Sequence, residues 1–91
     1  MEASSNSLEA CVGAVVRTWR KSYRWSQEEL ASKAKIYPNQ ISLLERAERH
    51  STLPTLEKVA KALDLEIYEL LWQARMLQAR VEDGKKAKKK R

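Results

Sequence analysis

The chain has little glycine, cysteine or histidine, and these shortages exclude several kinds of functional site. Gly13 and Gly84 are its only glycines, so it has no glycine-rich loop that could hold a nucleotide phosphate. Its one cysteine and one histidine, Cys11 and His50, lie 39 positions apart and make neither a catalytic triad nor a zinc site. An enzyme is therefore the least expected class of protein, and we expect no metal and no cofactor.

Paired cysteines and long apolar runs are also missing. A lone cysteine cannot form a disulfide within the chain, and Cys11 lies beside small apolar residues, as a packed thiol does. No apolar run approaches the roughly 18 residues that span a bilayer, and residues 1–10 lack the charged start and apolar middle of a signal peptide. We therefore expect a cytoplasmic protein with no membrane partner.

The length of 91 residues allows one compact domain and leaves no room for a second domain that senses a small-molecule ligand. Hydrophobic residues make up 43% of the chain and charged residues 33%, which is typical of a globular protein with a packed core. We assign the domain to residues 8–83, with a flexible segment before it and a basic tail after it.

The net charge of +6 is unevenly distributed. Residues 85–91, KKAKKKR, supply six positive charges, so the rest of the chain is neutral as a whole. Residues 13–50 nevertheless hold eight basic and four acidic side chains, whereas residues 51–84 hold four basic and six acidic ones. This polarity suits a protein that presents one end to phosphates, which dominate the affinity of proteins for nucleic acids.

The hydrophobic pattern predicts an all-α fold, because apolar residues recur at helical spacing and no strand pattern is present. Residues 1–7 are polar and predicted to be flexible, and Ser7 is a candidate cap for a first helix over 8–22. A fourth helix is predicted to follow a Thr52 cap, with Pro54 in its first turn. The predicted apolar stripe of the first helix consists of Val12, Val15, Val16, Trp19 and Tyr23. The predicted buried face of the fourth helix consists of Leu53, Leu56, Val59, Ala60 and Leu63.

The stretch WSQEELASKAKIYPNQISLLERAER, residues 25–49, predicts two helices joined by a short turn. Ser26 and Glu29 form the S-x-x-E capping box of a helix over 26–35, and Pro38 suits the first position of the next helix, over 38–47. In that helix Ile41, Leu44 and Glu45 share the inner face, and Asn39, Ser42, Leu43 and Arg46 share the outer face. We interpret the pair as a helix-turn-helix that probes DNA.

A last helix is predicted from about 66 to 82, longer than a five-helix domain requires. Its apolar residues alternate steps of three and four, which is the repeat of a coiled-coil seam. The segment 66–83 is therefore predicted to pair with a second copy, although it could instead fold back over Trp19 and Trp25. Gly84 is predicted to end the helix, and residues 84–91 are predicted to be disordered by their own repulsion. The predicted dimerisation residues are Ile67, Leu70, Leu71, Ala74, Leu77 and Val81.

Four motifs in residues 12–71 together resemble the phage-repressor and Cro family of XRE-type helix-turn-helix domains. They are V-R-T-W-R in the first helix, W-S-Q-E-E-L-A in the second, I-S-L-L-E-R in the third and T-L-E-K-V-A-K-A-L in the fourth. The resemblance implies a compact five-helix, lambda-repressor-like bundle with an extended C-terminal helix. It also implies a homodimer that reads two half-sites of a palindromic operator in double-stranded DNA, about one helical turn apart.

Five positions depart from the family pattern. Lys35, Ala47 and Asp64 stand where the family often has glycine, and a left-handed backbone at such a residue would cost on the order of 1 kcal/mol. Pro38 and Leu43 stand where the family often has polar side chains that read bases. We therefore expect this chain to depend less on hydrogen bonds for reading DNA.

The resemblance assigns roles to the outer face of the helix-turn-helix. Gln27 matches the family's glutamine that binds a phosphate at a helix N-terminus, although it could simply be solvated. Asn39 could pair with adenine in the major groove, or could serve only the start of its helix. Ser42 could donate to a base or a phosphate, and Leu43 could pack on a thymine methyl group. The predicted DNA-binding residues are Gln27, Tyr37, Pro38, Asn39, Gln40, Ser42, Leu43, Arg46 and Arg49.

The remaining assignments are less specific. Gln40, Arg46, Arg49 and His50 are expected near phosphates, and Tyr37 either points its hydroxyl at the DNA backbone or packs within the domain. Glu45 lies on the inner face, where an unpaired carboxylate would be costly, so a structural ion pair with Arg20 is predicted.

The function expected from the sequence is that of an autoregulatory, homodimeric transcriptional repressor associated with the nucleoid. The alternative is a protein-interaction module, antitoxin-like or coactivator-like, whose last helix binds a different protein and whose binding to DNA is secondary.

Overall fold

The computed structural model describes residues 7–47 and 51–90, with side chains described as far as residue 81. Within these ranges it contains five helices and no strand, which confirms the predicted all-α bundle. None of the helices in the described part of the chain is long and apolar enough to cross a membrane. The helices are α1 (Leu8–Ser22), α2 (Gln27–Ala34), α3 (Pro38–Arg46), α4 (Leu53–Ala62) and α5 (Ile67–Lys90).

Side-chain caps fix where three of the helices begin. The hydroxyl of Ser7 accepts from the amide of Ala10 at the start of α1, and Thr52 accepts from the amide of Thr55 at the start of α4. At the start of α2 the amide of Glu29 donates to Ser26 Oγ at 3.0 Å, and the amide of Ser26 donates to Glu29 Oε1 at 2.7 Å. The predicted capping box is therefore present, and it orients the first turn of α2.

Left-handed residues follow the ends of four helices, α1 to α4. Lys35, Ala47 and Asp64 have φ angles of 62°, 56° and 65°, so the backbone there has the conformation that glycine adopts without strain. Arg24, between α1 and α2, has a φ of 63°, and nothing in its sequence context indicates this. The chain thus makes these turns with residues that carry a Cβ atom.

The core lies where α1 packs against α3 and α5, and where α4 packs against α2 and α5. Leu53 is an exception to the predicted buried face of α4, because 63% of it is exposed. It occupies the first position of α4, and the buried row begins one turn later, at Leu56. The residues that are fully enclosed are Val16, Leu30, Ile41, Val59, Ala60, Leu63, Leu70 and Ala74.

The first half of α5 folds back over α1. Leu70 and Ala74 are 0% exposed, so the structure assigns these two predicted dimerisation residues to the core of their own chain. Trp19 Nε1 donates to Gln73 Oε1 at 2.8 Å and ties the two helices together beside this contact. At these positions the apolar repeat of α5 therefore packs within its own chain, where α5 lies against α1.

The second half of α5 continues past the predicted end at Gly84 and reaches Lys90. The prediction that the helix ends at Gly84 was therefore wrong, whereas the disorder of residues 84–91 stays a prediction. Lysine and alanine are good helix formers, and cations are favourable near a helix C-terminus, which together offset one interior glycine.

Candidate nucleic-acid interface

The turn between α2 and α3 sets the position of the third helix. Lys35 closes α2 in the left-handed conformation, and the amide of Ile36 donates to the carbonyl of Ala31 at 3.0 Å. Pro38 then occupies the first turn of α3, as predicted. The connection is short, so α2 and α3 are held at a fixed angle, as in a helix-turn-helix.

Gln40 has a structural role at the start of α3. Its side-chain Oε1 accepts from the backbone amide of Tyr37 at 2.9 Å, and its backbone amide donates to the carbonyl of Tyr37 at 2.9 Å. The sequence assigned Gln40 to a phosphate, whereas the structure uses its side-chain oxygen to satisfy a backbone donor. Tyr37 itself is 76% exposed, so its ring is accessible from solvent.

The outer face of α3 is polar and accessible. Asn39 and Arg46 are exposed, and Ser42 and Leu43 are half-buried, whereas Ile41 and Leu44 of the inner face are buried. This separation gives α3 one surface that faces away from the bundle, with an amide at one end and a guanidinium at the other. Such groups can donate to and accept from base edges and phosphates.

Leu43 lies beside a shallow groove of about 220 Å³ between α3 and the start of α4. The groove combines the amides of α3 with three hydroxyl groups near the α4 cap, and the Thr52 and Thr55 hydroxyl oxygens are 3.1 Å apart. The apolar side chain of Leu43 therefore lies next to side-chain amides and hydroxyl groups. The lining residues are Asn39, Gln40, Leu43, Leu44, Ser51, Thr52 and Thr55.

Glu45 joins three helices beneath this face. Its carboxylate accepts from Arg20 Nε at 2.8 Å and from the second guanidinium nitrogen of Arg20 at 3.0 Å, and Gln27 Nε2 donates to the same carboxylate at 3.0 Å. The remaining terminal nitrogen of Arg20 donates to the carbonyl of Trp25 at 2.8 Å. The Arg20 and Glu45 side chains are only 11% and 3% exposed. The predicted ion pair thus braces α3 from within.

The surroundings of Arg20 favour its charged form. Its hydrogen bond to Glu45 raises the pKa of the guanidinium, and burial opposes this rise. The link from Gln27 to Glu45 has no signature in the sequence, because it joins residues 18 positions apart and no local pattern marks it. The structure therefore connects Gln27, at the start of α2, directly to Glu45 on α3.

Two of the predicted phosphate ligands, Arg49 and His50, lie outside the described residues. Lys33, beside the turn, lies with its Nζ 4.8 Å from the centre of the Trp25 ring, and this ring stacks on Tyr23 at 4.5 Å. Lys33 thus makes a cation–π contact within the domain, whereas Lys35 is exposed on the turn.

A second accessible surface runs along α1 and α5. Trp72 is 63% exposed, Met76 is 44% exposed, and Leu71, Leu77 and Val81 are half-buried. A groove of about 310 Å³ separates the two helices there. The residues that form its apolar walls are Val15, Trp19, Trp72, Met76 and Leu77.

Comparisons with known proteins agree with this arrangement. A family model described as helix-turn-helix matches residues 16–70. A hypothetical transcription factor from Neisseria meningitidis serogroup B is 36% identical over 64 residues, which cover 70% of this chain. The match spans 60% of the length of that relative.

Solved structures show the same fold. The clp gene regulator ClgR from Corynebacterium glutamicum superposes with a TM-score of 0.82 at 24% identity, over 91% of this chain and 88% of that one. SinR, a master regulator for biofilm formation whose structure was solved in complex with DNA, superposes with a TM-score of 0.62 at 33% identity, over 66% of this chain and 97% of that one. The ClgR match is extensive enough to include most of the bundle and of α5.

Proposed function

The chain belongs to the XRE-type helix-turn-helix family of DNA-binding transcriptional regulators, and on that premise we propose that it is a homodimeric repressor of its own gene. The observation that carries this proposal is the polar, accessible outer face of α3, braced from below by the buried pair of Arg20 and Glu45. A rigid helix with an accessible polar face is what insertion into a major groove requires.

We assign base reading to three residues of α3. Asn39 is exposed and can pair through its amide with N6 and N7 of adenine. Leu43, one turn later on the same side, can pack on a thymine methyl group, and Ser42 can donate to a neighbouring base. This set favours half-sites that contain A·T pairs.

Phosphate binding falls to the groups around these residues. The N-terminus of α2 presents Gln27 and the backbone amides of its first turn, and Tyr37, Pro38 and Gln40 lie at the start of α3. Arg46 is exposed at the other end of α3. Arg49 remains a further candidate from the sequence. Contacts of this kind fix the position of a protein on the duplex and carry no sequence information themselves.

Dimerisation is assigned to the accessible part of α5. Leu70 and Ala74 are enclosed in their own chain, so the surface for a second copy consists of the residues that remain accessible. These residues are Ile67, Leu71, Trp72, Met76, Leu77 and Val81. Apolar side chains rimmed by Arg75 and Arg80 match the usual anatomy of an interface, with an apolar centre and a polar edge.

Repression would follow from exclusion of the polymerase by a dimer on the operator. A chain of this size responds to its own concentration, because dimerisation couples operator occupancy to protein level. The protein would act in the cytoplasm, at the nucleoid. The basic segment 85–91 would add affinity that does not depend on sequence.

The α1–α5 groove also favours a second candidate, a protein-interaction module whose last helix binds a different protein. Exposed Trp72 and the apolar Leu43 on α3 are the observations behind it. Such a module would bind DNA only weakly and without a sequence pattern.

Selection from a random pool of duplex DNA separates the two candidates. The proposed function predicts an enriched sequence with two-fold symmetry and half-sites about one helical turn apart. Enrichment of no sequence, with binding that vanishes at moderate salt, would contradict it and favour the interaction module.

A further inference from the structure

Gly13 lies in the middle of α1, at the point where α1 crosses the end of α3, and it is buried. A Cβ atom at this position would overlap the carbonyl oxygen of Leu44. It would also lie 3.0 Å from the carbonyl oxygen of Glu45 and 3.1 Å from its Cα atom. All three neighbours are backbone atoms of α3, which cannot rotate aside as the end of a long side chain can. The two helices therefore meet here backbone against backbone.

The same part of α3 is held a second time by α1. Arg20 lies seven positions after Gly13, two turns further along the same face of α1, and binds the carboxylate of Glu45. Glu45 is thus located by two contacts from one helix, through its backbone at Gly13 and through its side chain at Arg20. Ser42 and Arg46 lie near Glu45 on the outer side of α3, so these two contacts together help to set the position of the outer face.

We propose that Gly13 is a positioning residue for DNA reading, because the missing side chain sets how closely α3 lies against the bundle. The inference rests on the proposed function, since it concerns the presentation of α3 to an operator. A methyl group at position 13 would have to move α3 or tilt it by on the order of 1 Å to restore a normal contact distance. Hydrogen bonds to base edges weaken steeply over such a displacement, whereas attraction to the phosphates as a whole does not.

The test compares Gly13→Ala with Val59→Ala, a cavity-forming change in the fully buried part of α4. The free energy of unfolding is measured for both variants, and so are the dissociation constants for the selected operator and for a scrambled duplex. We expect Gly13→Ala to lose roughly tenfold or more in operator affinity, the size of a lost base contact, with unchanged affinity for the scrambled duplex. Val59→Ala should be less stable and should keep both affinities once folded. A folded Gly13→Ala protein with unchanged operator affinity would overturn the inference, and so would equal losses in the two variants.

A stabilised parent covers the case in which Gly13→Ala does not fold. Arg24→Gly and Asp64→Gly replace left-handed residues at the ends of α1 and α4, where glycine relieves strain. In this background the same affinities are measured, and the same results support or overturn the inference. A parent that does not distinguish operator from scrambled duplex overturns the proposed function together with this inference. If the parent distinguishes the operator from the scrambled duplex, and a folded Gly13→Ala protein does so equally well, only the inference about Gly13 is overturned.

Discussion

The guanidinium of Arg20 and the carboxylate of Glu45 form two parallel hydrogen bonds, of 2.8 and 3.0 Å, across the contact between α1 and α3. Bidentate pairs of this kind are among the stronger ion pairs in proteins, and here the two side chains are only 11% and 3% exposed. The pair lies beneath the outer face of α3, so it connects the stability of the bundle with the position of the surface that we propose reads DNA.

Removing one partner of this pair should be strongly destabilising. We expect Glu45→Ala to lower the free energy of unfolding by about 3 to 5 kcal/mol, because Arg20 would be left as a buried charge without its partner. The preference of the folded protein for particular bases should be affected less than its free energy of unfolding. Denaturant unfolding of Glu45→Ala, Arg20→Met and the double variant measures the coupling. If the losses in the free energy of unfolding of the two single variants simply add in the double variant, the two side chains are not coupled and the prediction is contradicted.

Glycine at a left-handed helix end should stabilise the chain. Asp64 has a φ of 65°, so Asp64→Gly should raise the free energy of unfolding by about 1 kcal/mol through relief of steric strain. Lys61→Gly, three positions earlier in the helical last turn of α4, is the matched control and should lower it by about 1 kcal/mol. Thermal unfolding of both variants checks the difference, and a loss of stability in Asp64→Gly would refute the account of this turn.

Trp72 should contribute to dimerisation and not to folding. We expect Trp72→Lys to weaken the dimer by about 2 kcal/mol or more, as the loss of an interface tryptophan does, and to leave the monomer folded. Leu53→Lys is the control, because Leu53 is an apolar residue with the same 63% exposure on a different helix. Sedimentation equilibrium gives the dissociation constants. Equal dimer dissociation constants for the two variants would contradict the assignment of α5 as the dimer surface.

The basic end of α5 should govern the salt dependence of binding. Deletion of residues 85–91 removes six positive charges, so the slope of log K against log salt should become less steep by up to about 5. The ratio of operator affinity to scrambled-duplex affinity should stay the same, because phosphate contacts do not read sequence. An unchanged slope would mean that this segment does not contact DNA.

The local features of the fold were predictable because their causes lie a few residues apart. The capping box needs only Ser26 and Glu29, and the turn after α2 needs only Lys35 and Pro38. The burial of Leu70 was not predictable, because periodicity marks an apolar face without naming the helix that covers it. The contacts of Gly13 with Leu44 and of Gln27 with Glu45 cross between helices, and no pattern along the chain encodes them.

The most direct test of the central claim, that the outer face of α3 reads DNA, is random-pool selection with the parent and with Asn39→Ala. For the parent we expect a two-fold symmetric consensus. For Asn39→Ala we expect the preference for adenine to disappear at one position in each half-site, with the other positions retained. An identical consensus for the two proteins would contradict base reading by Asn39, and the absence of any symmetric consensus for the parent would contradict the account as a whole.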